Sequence, residues 1–251
     1  MFQTSVRGDV AIVTMTHGKA NALDSEFCDV LAVEFNELRT AAPRAVVLTG
    51  QGSIFSAGVN LLRALEQGPD YLRDFLPRLH RLYETIFFFP KPVVAAINGH
   101  AVAGGCVLAC ACDRRVMVRE PGRIGVTELL VGLPFPTLAF EIMRFVTATQ
   151  HFEDVIFSGA TFPAHDGANR GLVNEIVGAE ELLDRAVAAA ETLASIAPNA
   201  FALTKRQSRE PAMDRYSRDG ARFDAEVTEI WTSEQATRTI RDYVSLTFKK
   251  Q

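Results

Sequence analysis

No stretch of this 251-residue chain stays apolar for the roughly 20 residues that a membrane-spanning helix needs. The longest contender, Val93 to Cys112, is broken by Asn98, Gly99, His100 and the Gly104-Gly105 pair, so no membrane partner is expected. Blocks of like charge are equally absent. The 26 basic and 30 acidic residues are interspersed, for a net charge of -4, which gives no electrostatic footprint for nucleic acid. Met1 to Asp9 carry no basic region followed by an apolar stretch, so a secretory leader is not expected. Cysteine is scarce, and three of the four crowd one apolar stretch as Cys106, Cys110 and Cys112. That is the usage of reduced, buried thiols rather than of a disulfide framework, and it predicts a cytoplasmic setting. On a helix, that spacing does not gather three thiolates around one ion, so no metal is expected. Gly50-Gln51-Gly52 begins like a dinucleotide fingerprint, but the third glycine is missing and no Gly-Lys-Ser/Thr follows. What survives these exclusions is a globular protein with a small-molecule partner.

The composition, 48% hydrophobic and 22% charged, suits one large domain or a domain with a helical appendage. Strands are expected at Val10 to Met15, Arg44 to Leu48 and Pro92 to Ile97, with a helix over Ser25 to Thr40 whose Phe27, Val30, Leu31, Phe35 and Leu38 share one face. A long helix with one kink is expected between Leu61 and Phe89, where Pro69 and Pro77 interrupt the pattern. Cys106 to Cys112 reads as a buried helix, Arg115 to Val118 and Arg123 to Gly125 as short strands, and Phe140 to Phe145 as a helix. Alternating strands and helices give an α/β fold with crossover units. Helical segments follow at Glu180 to Ala194, Asn199 to Ser208 and Gly220 to Val244, with a boundary near Ile196. The division is therefore a core of residues 1–195 and a C-terminal helical region of 196–251 that serves as an oligomer contact or a lid.

Two turns carry the chemistry. Phe55-Ser56-Ala57-Gly58-Val59-Asn60 and Asn98 to Cys106 each follow a strand-like run and are built of small residues. Such turns leave backbone N–H groups free, and two of them converging on one carbonyl oxygen would stabilise an enolate.

Five blocks in order resemble the crotonase (enoyl-CoA hydratase/isomerase) superfamily: Ala20-Asn21-Ala22-Leu23, Leu48 to Gly58, Lys91 to Ala101, Cys112-Asp113 and Gly171-Leu172-Val173. The resemblance implies a spiral of ββα units with a C-terminal helical region packed on neighbouring subunits, a homotrimer or homohexamer, and an acyl-CoA thioester as substrate. No separate cofactor is implied, since coenzyme A is part of the substrate. It places the two oxyanion-hole N–H groups on Val59 and Gly104 and the adenine-contacting backbone on Ala22 and Ala57. Lys19 and Arg63 stand in for the family's phosphate-contacting lysine, whose usual position holds Leu62.

The carboxylates decide the reaction. The resemblance places the hydratase pair of glutamates at Val107 and Glu128, so one half of the water-activating pair is a valine. A single carboxyl suffices to move a proton from C2 to C4 of a 3-enoyl-CoA, which is the pattern of the family's enoyl-CoA isomerases. Val107, Phe135 and Pro136 are expected to line a dry acyl pocket. Residual hydration, thioester hydrolysis, decarboxylation and acyl-CoA binding without turnover remain alternatives. Asn60 stands where the family often has Asp, and Ala103, where Gly is usual, is expected to be tolerated at negative φ. His17, His80, His151 and His165 show no partner pattern, and His100, although it lies in the second turn, is expected to serve that turn locally rather than in catalysis.

Overall fold

The computed structural model describes residues 1–248, and a strand–strand–helix order recurs four times along it. The units are β1 (Phe2–Arg7), β2 (Val10–Met15) and α1 (Ser25–Thr40); β3 (Ala45–Gly50), β4 (Ile54–Ser56) and α2 (Leu61–Phe87); β5 (Val93–Ile97), β6 (His100–Val102) and α3 (Gly104–Ala111); and β7 (Arg114–Val118), β8 (Arg123–Gly125) and α4 (Thr137–Val146). Then come α5 (Phe152–Ser158), β9 (Phe162–Pro163), α6 (Ala164–Asn169), β10 (Glu175–Val177) and α7 (Leu182–Ala194), followed by α8 (Pro198–Trp231) and α9 (Glu234–Phe248). The chain thus forms the expected ββα spiral.

From the second unit onward, the first strand of each unit joins a six-stranded sheet, β1-β2-β3-β5-β7-β10, and the second joins a four-stranded sheet, β4-β6-β8-β9. The larger sheet is parallel apart from β1 against β2. Both faces are covered at β2, β3 and β5, which is why those strands read as continuous apolar runs, whereas the edge strand β1 is largely exposed. On one face Val10, Ile12, Val47, Val94 and Ala96 pack with Leu182, Ala186 and Val187 of α7. Their neighbours Ala11, Val13, Leu48 and Ala95 point the other way, into a main core with Phe27, Phe35 and Phe89.

Local chemistry explains the helix bounds. Asp24 caps α1 by accepting from the Phe27 N–H at 3.0 Å, and Asn60 caps α2 by accepting from the Arg63 N–H at 3.1 Å. The expected single kink in α2 lies at Gly68, which has φ 75°, immediately before Pro69, while Pro77 is carried inside the helix.

The C-terminal region differs from expectation in two ways. Asn199 to Ser208 and the start of the Gly220 segment belong to one helix, α8, which runs through Pro211 and Gly220 because Ala212, Val227 and Trp231 are held in the core. Its break comes at Thr232-Ser233, inside the expected Gly220 to Val244 helix, where the Ser233 hydroxyl accepts from the Ala236 N–H at 3.1 Å and starts α9. The region packs on its own chain, α8 against α4 and α9 against α2.

The start of α8 is anchored by charge. Asp113 accepts from Lys205 Nζ at 2.7 Å, from the Arg209 guanidinium at 2.8 Å and from the Val93 N–H at 2.7 Å. Arg209 also donates to the Phe87 carbonyl and lies over the Phe87 ring. Lys205 and Arg209 are both buried, and burial pulls the Lys205 ammonium down to about 8.

Candidate active site

The first turn is laced to the loop after β2. Ala57 N–H donates to Ala20 O at 2.9 Å, Leu23 N–H to Gly58 O at 2.7 Å, and Asn60 N–H to Leu23 O at 2.9 Å. Asn21, at φ 44°, sends its side-chain amide to Ile54 O and Phe55 O, and the buried Ser56 hydroxyl donates to Asn21 O at 2.7 Å. In this parallel pairing Leu23 uses both of its own backbone groups on the residues flanking Val59. The Val59 N–H is therefore turned away from Leu23 and is not spent on the ladder.

The second turn approaches the first closely. Gly58 has φ 80°, and a Cβ built there would lie 2.8 Å from the Gly104 nitrogen and 2.8 Å from Ala103 Cβ. Only glycine permits both that backbone and that approach. Gly104 begins α3, so its N–H is among the unpaired donors of a helix N-terminus, where partial positive charge collects. Ala103 just before it is at φ 49°, not the negative φ expected, so a strained residue holds the bend between β6 and α3.

Around these turns lies a cavity of about 460 Å³. Lys19, Ala22, Ala57, Val59 and Glu128 line it together, and Ala103, next to Gly104 in sequence, lines it too. Glu128 opens a 3-10 turn, Glu128–Val131, that ends on left-handed Gly132. Its carboxyl is buried, its Oε2 has no hydrogen-bond partner, and desolvation pushes its pKa up to about 7.

Other expected site residues lie elsewhere. Arg63 is turned outside the cavity lining by an ion pair to Glu26 at 2.5 Å, a weaker one to Asp24 at 3.4 Å, and stacking over Tyr71. Val107 is sealed within α3, every residue of which is buried, so the wall is made by Val102 and Ala103 at the entry to that helix. Phe135 packs towards Phe140, and Pro136 caps α4; Val131 and Leu133, on either side of Gly132, take the wall positions expected of them.

Three residues enter unanticipated as site residues. His17, on the cavity wall, stacks on Phe27 and bonds Asp24 through Nε2 at 2.7 Å, a pairing hidden in the sequence by the seven-residue offset across a loop. Trp231 and Tyr243 reach the same cavity from α8 and α9. Their only signal was being aromatic in a charged tail.

The family model described as enoyl-CoA hydratase/isomerase matches residues 5–245. A Thermus thermophilus protein provisionally named an enoyl-CoA hydratase is 37% identical over 204 residues, covering 79% of this chain and 80% of that one. Mouse mitochondrial enoyl-CoA delta isomerase 1 is 26% identical over 217 residues, covering 85% and 75%. The solved structure of human mitochondrial delta3-delta2-enoyl-CoA isomerase superposes with a TM-score of 0.94 at 22% identity, covering 100% of this chain and 99% of that one.

Proposed function

Because this chain belongs to the enoyl-CoA hydratase/isomerase family, we propose that it shifts the double bond of a 3-enoyl-CoA to position 2, with Glu128 as the single acid–base. The observation that carries this reading is a buried carboxyl, poised near neutrality with one oxygen unpartnered, in a cavity shared with Val59 and Ala103. The Val59 and Gly104 N–H groups form the oxyanion hole for the thioester oxygen. Glu128 takes the C2 proton, the electron pair spreads through the dienolate to that oxygen, and the same carboxyl returns the proton to C4 as the double bond settles at C2–C3. A pKa of about 7 suits a group that must both accept and return a proton. Each hole donor is worth on the order of 3 kcal/mol of barrier.

Lys19 and the Ala22 and Ala57 backbone hold the coenzyme A portion, which their place on the wall supports. The reading includes a homotrimer or a pair of trimers in a reducing compartment; four free buried thiols favour the latter.

Hydration is the second reading, favoured by the name of the Thermus thermophilus relative. Against it, Glu128 is the only carboxylate lining the cavity among the described residues, and the position of the second family glutamate holds Val107. Purified protein given trans-3-enoyl-CoA and trans-2-enoyl-CoA separates the two. Isomerisation of the first without gain of mass, abolished in Glu128→Gln, supports the proposal. Rapid gain of water by the second supports hydration.

A further inference from the structure

The wall of the cavity divides by chemistry. His17, Lys19 and Asn60 place polar groups where the loop after β2 meets the start of α2, whereas on the side of the Glu128–Pro134 segment the wall is formed by Val131, Leu133, Trp231 and Tyr243. An acyl chain whose C2 lies at the Glu128 carboxyl has the apolar part to run into.

Trp231 is built as a fixed wall there. It is the last residue of α8 and only 2% exposed, so it is no rim of the mouth. Its indole N–H donates to the Pro134 carbonyl at 2.8 Å, tying the ring to the segment that supplies Leu133. The chain then turns at Thr232-Ser233, and α9 runs back against α2 and the Glu128 turn, bringing the partly buried Tyr243 to the same wall. Both aromatic groups come from the same chain as Glu128.

We propose that Trp231, with Tyr243 beside it, ends the acyl compartment and restricts the enzyme to short-chain enoyl-CoA. This rests on the acyl-CoA reading above. A cavity of about 460 Å³ that must also hold the thioester and the end of the pantetheine arm bounds the chain that fits beside the indole. Packing alone would give Trp231 a place in the core but no effect on which ligand fits.

The test is calorimetric binding of saturated acyl-CoA thioesters of increasing chain length, which need no turnover, to wild type, Trp231→Leu and Tyr243→Ala. The second variant, at a partly exposed position, keeps the experiment decisive if the first does not fold, and circular dichroism checks both. Wild type is expected to bind short chains and reject long ones. Either variant should raise the long-to-short affinity ratio by at least about tenfold, the discrimination one methylene earns in an apolar pocket. If wild type binds acyl-CoA but accepts long chains equally, or if the ratio stays put in the folded variants, this inference falls and the acyl-CoA reading stands. If wild type binds no acyl-CoA of any length, the two fall together.

Discussion

The Tyr83 hydroxyl donates a 2.9 Å hydrogen bond to the carbonyl of Gly104, the residue that begins α3. Tyr83 is fully buried, and burial, reinforced by the nearby Glu128 charge, raises its pKa well above the usual phenol value, so it stays a donor. The phenol thus braces the backbone that presents the Gly104 N–H. Tyr83→Phe removes one of the two hydrogen bonds to the Gly104 carbonyl, the other coming from within α3, and should destabilise the fold by about 0.5–1.5 kcal/mol. It should also lower kcat by about tenfold while binding of a saturated acyl-CoA is retained. Steady-state kinetics beside calorimetry checks this; a fall in stability alone would deny the bracing role.

Gly104→Ala should be more severe. The added methyl would lie 2.8 Å from the Tyr83 hydroxyl and 3.3 Å from Leu23, and neither buried side chain has room to retreat. Displacing the N–H from the thioester oxygen should cost on the order of a hundredfold in kcat.

Glu128→Gln should abolish turnover and stabilise the fold. The Glu128 pKa rises from 4.5 to about 7 on folding, so the folded state holds the proton more tightly than the unfolded state. Below about pH 4.5 both states are protonated and the shift costs nothing. Between there and about pH 7 the unfolded chain releases its proton first, so wild type loses up to roughly 3 kcal/mol, a loss that then persists at higher pH. Melting curves of the two proteins should therefore match near about pH 4 and separate above about pH 7, with Gln the more stable. The wild-type rate should rise with pH through about 7 as the carboxylate forms.

Ala103→Gly removes a methyl from a residue held at φ 49°. Relief of that strain, about 1–3 kcal/mol, is offset by the larger freedom glycine gives the unfolded chain, about 0.4–1 kcal/mol. A net gain of about 1 kcal/mol should appear in denaturant titration, and a loss would show that the methyl contributes packing of equal size.

Asp113→Asn withdraws the carboxylate shared by two buried cations, Lys205 and Arg209. Leaving both charges uncompensated should cost about 3–5 kcal/mol, readable as a lower urea midpoint.

How far the sequence led depended on whether information was local. Val10 to Met15, the α1 helix and the Gly-containing turns were legible because period, caps and small residues act within a few positions. The family blocks added the order of the ββα units and the place of Glu128. The three-residue strands β4 and β6 went unread because they lie within the stretches read as small-residue turns. Arg63 was assigned to the ligand because its competition from Glu26 and Tyr71 is set only when α1 and α2 pack. Val107 and Phe135 carried the right apolar character, but which residues face a cavity depends on how deeply α3 is buried and on the left-handed turn at Gly132. Trp231 and Tyr243 depended on where a helix breaks and doubles back, which no local pattern in that charged tail encodes.

The helix α8 has Lys205 and Arg209 near one end, clamped to Asp113, and Trp231 at the other, in the cavity wall. At 1.5 Å per residue those ends are roughly 39 Å apart. The helix that supplies this wall is thus held at both ends, by ion pairs to Asp113 and by the indole bond to the Pro134 carbonyl. Like a beam resting on two supports, α8 ties the ion-paired end of the fold to the cavity wall through one continuous helix.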